Sequence, residues 1–277
     1  MTGYLLREPV TVTRAGDTVT ATLAVRAGEP VFAGHYPHFP VLPGVCVVES
    51  VHRAATGTLP EPGLVLDAVD TARFLGPVRP GDELTAELSW SADGDAWCCR
   101  ARAGTAGGRV ATVRLRYRAD RPAPAPAGDI ARDIARDGIR LDLDGITALI
   151  PHRPPMLLLD EVTGLVTGQR LTATRTAVAG EPWGPAPLVE SWCQAAGVLA
   201  LHGTDPAPGR VLLLGAVHGA ELAGAVAPGD VVEHRVTLSR ADPGSAVLTG
   251  ESVVDGRVVL LVRRVVVAVR EREAADG

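Results

Sequence analysis

The sequence predicts an α+β chain made of two copies of one unit, each a buried helix gripped by an antiparallel β-sheet. Three observations carry that expectation. The chain matches itself at a large offset, each copy holds Thr- and Val-rich stretches that alternate polar and apolar residues, and each copy holds one short apolar helical run. With 277 residues the chain can bury two ordinary cores, since domains commonly run about 100–150 residues.

The self-match is collinear. TATLAVRAGEP, from Thr20 to Pro30, aligns with TATRTAVAGEP, from Thr172 to Pro182, at an offset of 152 residues. VESVHRAA around Glu49 aligns with VESWCQAA around Glu190 at an offset of 141. LVLDAV, ending at Val69, and Pro80-Gly81-Asp82 align with LLLGAV, ending at Val217, and Pro228-Gly229-Asp230 at 148. The falling offset shows that copy two lacks 11 residues ahead of its glutamate, the stretch matching VFAGHYPHFPVLPGV in copy one. The later rise marks an insertion of 7 residues around HGTDPAPG, a surface loop by its Pro and Gly content.

The elements follow in order. VTVTRAGDTVTATLAV, with its Gly-Asp punctuation, predicts a hairpin. A helix begins after Pro43-Gly44. ELTAELSW, WCCRARAG and RVATVRLRYR predict three more strands. The Ala- and Pro-rich stretch that follows, with a weakly helical end, predicts a linker. Copy two repeats the order, with its helix near Pro187 and strands in VVEHRVTLS, SAVLTGESV and RVVLLVRRVVVAV. The expected boundaries are residues 1–118, a linker at 119–138, and 139–277.

Hydrophobic residues make up 46% of the chain and charged residues 21%, with 4% aromatic, a globular balance that excludes a disordered chain, a collagen and a disulfide-dense miniprotein. All 27 basic residues are arginine, and 32 acidic residues leave a formal charge of −5. That balance argues against nucleic acid as a partner, while local arginine patches remain possible. Cys46, Cys98, Cys99 and Cys193 show no CxxC spacing, which fits a reduced, cytoplasmic protein. The opening MTGYLLREPV lacks a signal-peptide pattern, and Arg263 and Arg264 interrupt the most apolar run, so a soluble protein with no membrane span is expected. There is no Gly-rich phosphate loop and no clustered His/Cys spacing, so the sequence indicates no cofactor and no metal.

One stretch carries chemistry. Gly34-His35-Tyr36-Pro37, then Pro40, then Leu42-Pro43-Gly44-Val45, with Glu49 14 residues after His35, resembles the signature of the β-hydroxyacyl-acyl-carrier-protein dehydratases. Ala72-Arg73-Phe74, Pro77-Val78 and Pro80-Gly81-Asp82 also look like that family, as does the opening of copy two, from Ile150 through His152 to Met156 and on to Asp160. The resemblance implies the hotdog fold, with two units pairing so that each active site takes a histidine from one and an acidic residue from the other. The tandem form is similar to the fused double hotdogs of modular polyketide synthases. Copy two, lacking the histidine loop, also looks like the histidine-less partner subunits of aryl-polyene dehydratases.

Carried onto this chain, the resemblance implies one composite site, with His35 from copy one and Glu190 from copy two. The i+4 neighbours agree: Gln194 can orient Glu190 by hydrogen bonding, whereas Arg53 holds Glu49, the alternative acid, ionised. Loss of water from a 3-hydroxyacyl thioester needs a base for the C2 proton and an acid for the leaving hydroxide. Neutral His35 suits the first role, and Glu190 suits the second if burial raises its pKa. The amides of Gly44 and Val45, at a helix N-terminus, are candidate donors to the enolate oxygen. His38, where the family usually has glycine, is expected at the rim. His152 is expected to be structural beside its prolines, Cys193 to be a packed inert thiol, and Tyr36 stands where the family usually has phenylalanine.

The expected activity is dehydration of a 3-hydroxyacyl chain to the trans-2-enoyl product in polyketide, polyene or fatty-acid-like biosynthesis. The expected partner is an acyl carrier protein bearing the chain on phosphopantetheine, with the protein a monomeric pseudo-dimer or a homodimer. Two other readings stay open at this point: a hotdog acyl thioesterase that needs no His35, and a non-catalytic module that binds acyl chains or carrier protein.

Overall fold

A computed structural model describes residues 6–16, 18–119, 138–181, 183–204 and 210–271. The expected linker is outside the described residues except at its two ends, as are 205–209 of the expected loop insertion and Pro182 of the repeated AGEP segment.

The alternating N-terminal stretch forms the expected hairpin, β1 (Thr11–Ala15) and β2 (Thr18–Ala24), turning at Gly16, whose φ of +61° suits a residue without Cβ. A short helix, α1 (Pro30–Gly34), leads into His35. The main helix of this half is α2 (Gly44–Thr56), and β3 (Val65–Phe74), β4 (Glu83–Asp93), β5 (Ala96–Thr105) and β6 (Gly108–Arg118) follow. Period-2 patterning is clearest in β6: Val113, Leu115 and Tyr117 are buried, while Arg116 and Arg118 on the other face pair with Asp67.

The second half runs β7 (Ile139–Leu141), α3 (Leu143–Leu149), β8 (Glu161–Val166), β9 (Arg170–Thr176), α4 (Pro185–Leu201), β10 (Arg210–Leu222), β11 (Val231–Asp242), β12 (Ser245–Val254) and β13 (Arg257–Glu271). Helix α4 starts at Pro185 rather than Pro187, because a proline at the first helical position gives up no intrahelical hydrogen bond. It is buried on nearly every face, so its polar residues Glu190, Ser191 and Gln194 lie in the interior.

Among the described residues the strands form one antiparallel sheet of 13, in the order β1-β2-β4-β5-β6-β3-β10-β13-β12-β11-β9-β8-β7. The two halves join where β3 pairs with β10, from Ala216 opposite Arg73 to Glu221 opposite Ala68. Helix α2 packs on the strands of its own half, α4 on those of the other, and the two helices touch each other. The molecule is a double hotdog, as the resemblance implied.

A buried polar triad stiffens the second half. Ser191 Oγ on α4 donates to Leu158 O at 2.6 Å and lies 2.6 Å from His234 Nε2, while His234 Nδ1 lies 2.8 Å from Ser252 Oγ. The Ser191 proton is committed to the carbonyl, so His234 carries its own on Nε2 and accepts from Ser252 at Nδ1. Burial lowers the His234 pKa to about 3. An unfolded chain protonates this imidazole below about pH 6.5, and the folded protein resists until about 3. Stability therefore falls with pH across that window, by on the order of a few kcal/mol. Urea midpoints followed from pH 7 to 4 are expected to drop, and His234→Asn is expected to flatten that slope.

Candidate active site

His35 is placed by the turn that closes α1: its amide donates to Val31 O at 2.8 Å, and the next residue, Tyr36, sits in the left-handed region at φ +51°. The loop is clamped onto the second half. Arg153 N donates to Gly34 O at 2.9 Å, and the Tyr36 hydroxyl donates to Leu212 O of β10. Glycine at 34 is a packing requirement, because a Cβ there would stand 2.1 Å from Arg153 O and 2.7 Å from Met156 N. Gly34→Ala is expected to cost about 1–3 kcal/mol in denaturant unfolding and to lower activity by displacing the adjacent histidine.

The His35 ring has a defined tautomer. Nδ1 lies 2.9 Å from Val41 O, a carbonyl that can only accept, so the proton is on Nδ1 and Nε2 keeps its lone pair. Burial, then the positive field of His152, lower the His35 pKa to about 4, opposed by Glu190 and by the bond to Val41. At neutral pH the ring is an uncharged proton acceptor.

Glu190 faces it from α4 and is 5% exposed. Gln194, one turn on, donates from Nε2 to Glu190 Oε1 at 3.0 Å; the same amide is pinned by Met156 O at 2.7 Å and Leu158 N at 2.8 Å. Polar side-chain atoms of His35, His152 and Glu190 lie within 4.8 Å of one another, so the structure brings together the pair expected from the two halves.

His152 was expected to be structural, fixing a turn beside its prolines. The structure instead puts its Nε2 3.3 Å from Glu190 Oε1 and its ring centroid 5.2 Å from that of His35. Its other nitrogen, Nδ1, is buried without a hydrogen-bond partner among the described residues. The only sequence signal for this residue was its place in the Ile150–Met156 opening segment, and nothing in spacing linked it to Glu190. It also alters the carboxyl: burial pushes the Glu190 pKa up, but the hydrogen bond and charge of His152, with His35 and Gln194, outweigh it and hold it below the usual carboxylate range. The expectation that burial raises this pKa is corrected accordingly.

The remaining positions sort cleanly. Gly44 lies in the wall of the same cavity, against the Phe74 ring, at the first turn of α2, where amides lack intrahelical acceptors; Val45 is buried beside it. His38 is exposed on the loop. Cys193 lines the cavity, and burial drives its thiol pKa well up, leaving an unreactive thiol. Glu49 lies elsewhere: it pairs with Arg53 Nε at 2.9 Å, Arg53 also bonds Leu6 O, and the small cavity beside Glu49 includes neither His35 nor His152.

The His35–Glu190 cavity has a volume of about 340 Å³. Besides the polar cluster it is lined by Phe39, Leu75 and Arg79, by Gly197 and Leu201 of α4, and by Leu212 of β10. Such a channel can hold a polar head between the cluster residues and an extended apolar chain beyond them.

Residues 11–108 match the family model described as ApeI dehydratase. A 3-hydroxyacyl-acyl-carrier-protein dehydratase FabZ of Thiobacillus denitrificans is 39% identical over 124 residues, covering 40% of this chain and 84% of the relative. FabZ of Variovorax paradoxus is also 39% identical, over 94 residues, covering 31% of this chain but only 63% of that relative's length. Among solved structures, the dehydratase domain of RzxB from Pseudomonas fluorescens superposes with a TM-score of 0.70 at 15% identity, covering 95% of this chain and 98% of that one. The dehydratase domain of PpsC from Mycobacterium tuberculosis, in complex with C12:1-CoA, gives 0.68 at 17%, covering 97% and 99%. At those identities the structural likeness speaks for the fold.

Proposed function

Because the chain belongs to the 3-hydroxyacyl-acyl-carrier-protein dehydratase family, we propose that it removes water from a 3-hydroxyacyl thioester at a single composite site, giving the trans-2-enoyl product. The observation that carries this reading is the meeting of a neutral histidine and a glutamate, contributed by opposite halves, in one largely apolar channel. The partner is an acyl carrier protein that presents the chain on phosphopantetheine, in polyketide, polyene or fatty-acid-like assembly in the cytoplasm. The protein works as a pseudo-dimer within one chain, residues 1–118 supplying the base and 139–277 the acid. Among the described residues no helix is long and apolar enough to cross a membrane.

In this mechanism His35 Nε2 takes the C2 proton, and the electron pair moves into the thioester as an enolate. The amides of Gly44 and Val45 receive the developing oxyanion. The C3 hydroxyl leaves as water with a proton from the Glu190–His152 pair, which holds one exchangeable proton between its carboxyl and imidazole in the competent state. His35 then releases its proton and the Glu190–His152 pair regains one by exchange through water, which resets the site. Placing the proton on the pair reconciles an acid role with a carboxyl whose own pKa is held down.

His152 is a positioning residue here, and a hydrogen bond to a charged group is worth about 1.5–3 kcal/mol. His152→Ala is therefore expected to lower kcat about tenfold to a hundredfold with little change in KM and to shift the pH profile of kcat, a signature that mere loosening of the fold would not produce. Incubation of the protein with a synthetic 3-hydroxyacyl carrier protein, read by mass spectrometry, tests the reaction class. The expected product is the enoyl thioester, one water lighter. Release of free acid, or an unchanged substrate, overturns the proposal.

A further inference from the structure

The cluster that performs the proton transfers also has the composition of a metal site, although its members are scattered along the chain at positions 35, 152 and 190. Two imidazoles and one carboxylate are a donor set that zinc takes in catalytic sites, with a fourth position left open. Magnesium and calcium favour sites built from oxygen alone. We propose that His35, His152 and Glu190 bind a zinc-class divalent cation in the cavity between the halves, and that this cation blocks the site rather than serving it.

Four features support the assignment. His35 already donates Nδ1–H to Val41 O at 2.9 Å, the outer hydrogen bond that metal-bound histidines almost always make, and its Nε2 lone pair is free. Gln194 anchors the Glu190 carboxyl in the same supporting way. His152 Nδ1 is buried and unpartnered, so moving the ring proton from Nε2 to Nδ1 frees the nitrogen beside Glu190 without breaking any hydrogen bond at Nδ1. Finally, ligands held at about 2.0–2.1 Å around a tetrahedral centre stand about 3.3 Å apart. His152 Nε2 and Glu190 Oε1 are 3.3 Å apart, and the other separations, none beyond 4.8 Å, close to that value by side-chain rotation.

A bound cation would occupy the lone pair that takes the C2 proton and the carboxyl that handles the leaving hydroxyl. Its fourth position would open on the channel, where water or the thioester oxygen could fill it. The inhibitory consequence rests on the dehydratase reading; the metal site does not.

The test is a calorimetric titration of the full chain, stripped with a chelator, with zinc chloride in a non-coordinating buffer, repeated with cobalt chloride to follow the visible absorption of a tetrahedral centre. One zinc per chain is expected. His152→Gln and Glu190→Gln, each checked for native melting, are each expected to weaken binding at least tenfold, while Glu49→Gln and His38→Ala leave it unchanged. Absence of stoichiometric binding, or binding that survives both cluster substitutions, overturns the site. Binding needs no turnover, so a failed dehydration assay and a failed metal site are distinguishable. If both hold, zinc suppresses enoyl formation and chelator restores it; binding without suppression overturns the blocking role.

Discussion

His35→Ala is expected to cut enoyl formation by about 10²- to 10⁴-fold, the usual contribution of a positioned general base. The neutral ring is ready to accept a proton because burial keeps it uncharged, and the bond to Val41 O aims its free nitrogen into the channel. Removal of the ring leaves the channel and the carbonyl at residue 41 in place, so substrate binding is expected to change far less than kcat. Stopped turnover with intact carrier-protein binding, measured by calorimetry, is the expected pattern. Undiminished turnover would remove His35 from the mechanism.

Substitution of the two matched glutamates is expected to separate their roles as sharply. Glu190→Gln keeps the shape of the side chain and its contact with Gln194 but ends its part in proton exchange, with an expected loss of about 10²- to 10⁴-fold. Glu49→Gln is expected to leave activity within a few-fold of the parent. Its carboxylate is neutralised by Arg53 at 2.9 Å, and its small cavity contains no histidine loop. The change at 49 instead leaves the Arg53 guanidinium, 19% exposed and still bonded to Leu6 O, without its carboxylate, so a modest fall in stability is expected there. Steady-state rates and urea midpoints on both variants check this pair of expectations.

These contrasts show where sequence carries information and where it stops. The i+4 spacing told the two helices apart, because one turn of helix determines which residues touch: Glu190–Gln194 and Glu49–Arg53 both form as the spacing implies. The histidine loop was legible as a local motif. β3 and β10 were seen only as matched segments, and alternation did not reveal them as strands. They pair with each other in the middle of the 13-stranded sheet, where runs such as LVLDAV and LLLGAV lose the polar-apolar rhythm of a half-exposed strand. The contact of His152 with Glu190 was hidden for a related reason. The neighbours of His152 in sequence are prolines, while the groups beside it in the structure are Glu190, brought by α4 of the same half, and His35, brought by the loop of the first half. The direction of the Glu190 shift followed from the same contact, since burial alone would have raised it.

The most direct test of a single site shared between the halves is a double-mutant cycle in single-turnover dehydration, comparing His35→Ala, Glu190→Gln and the two combined. Residues that act as one unit lose most of their effect with the first substitution, so the combined variant is predicted to be scarcely slower than the worse single variant. Losses that multiply, or a cycle in which Glu49 rather than Glu190 couples to His35, would contradict the account.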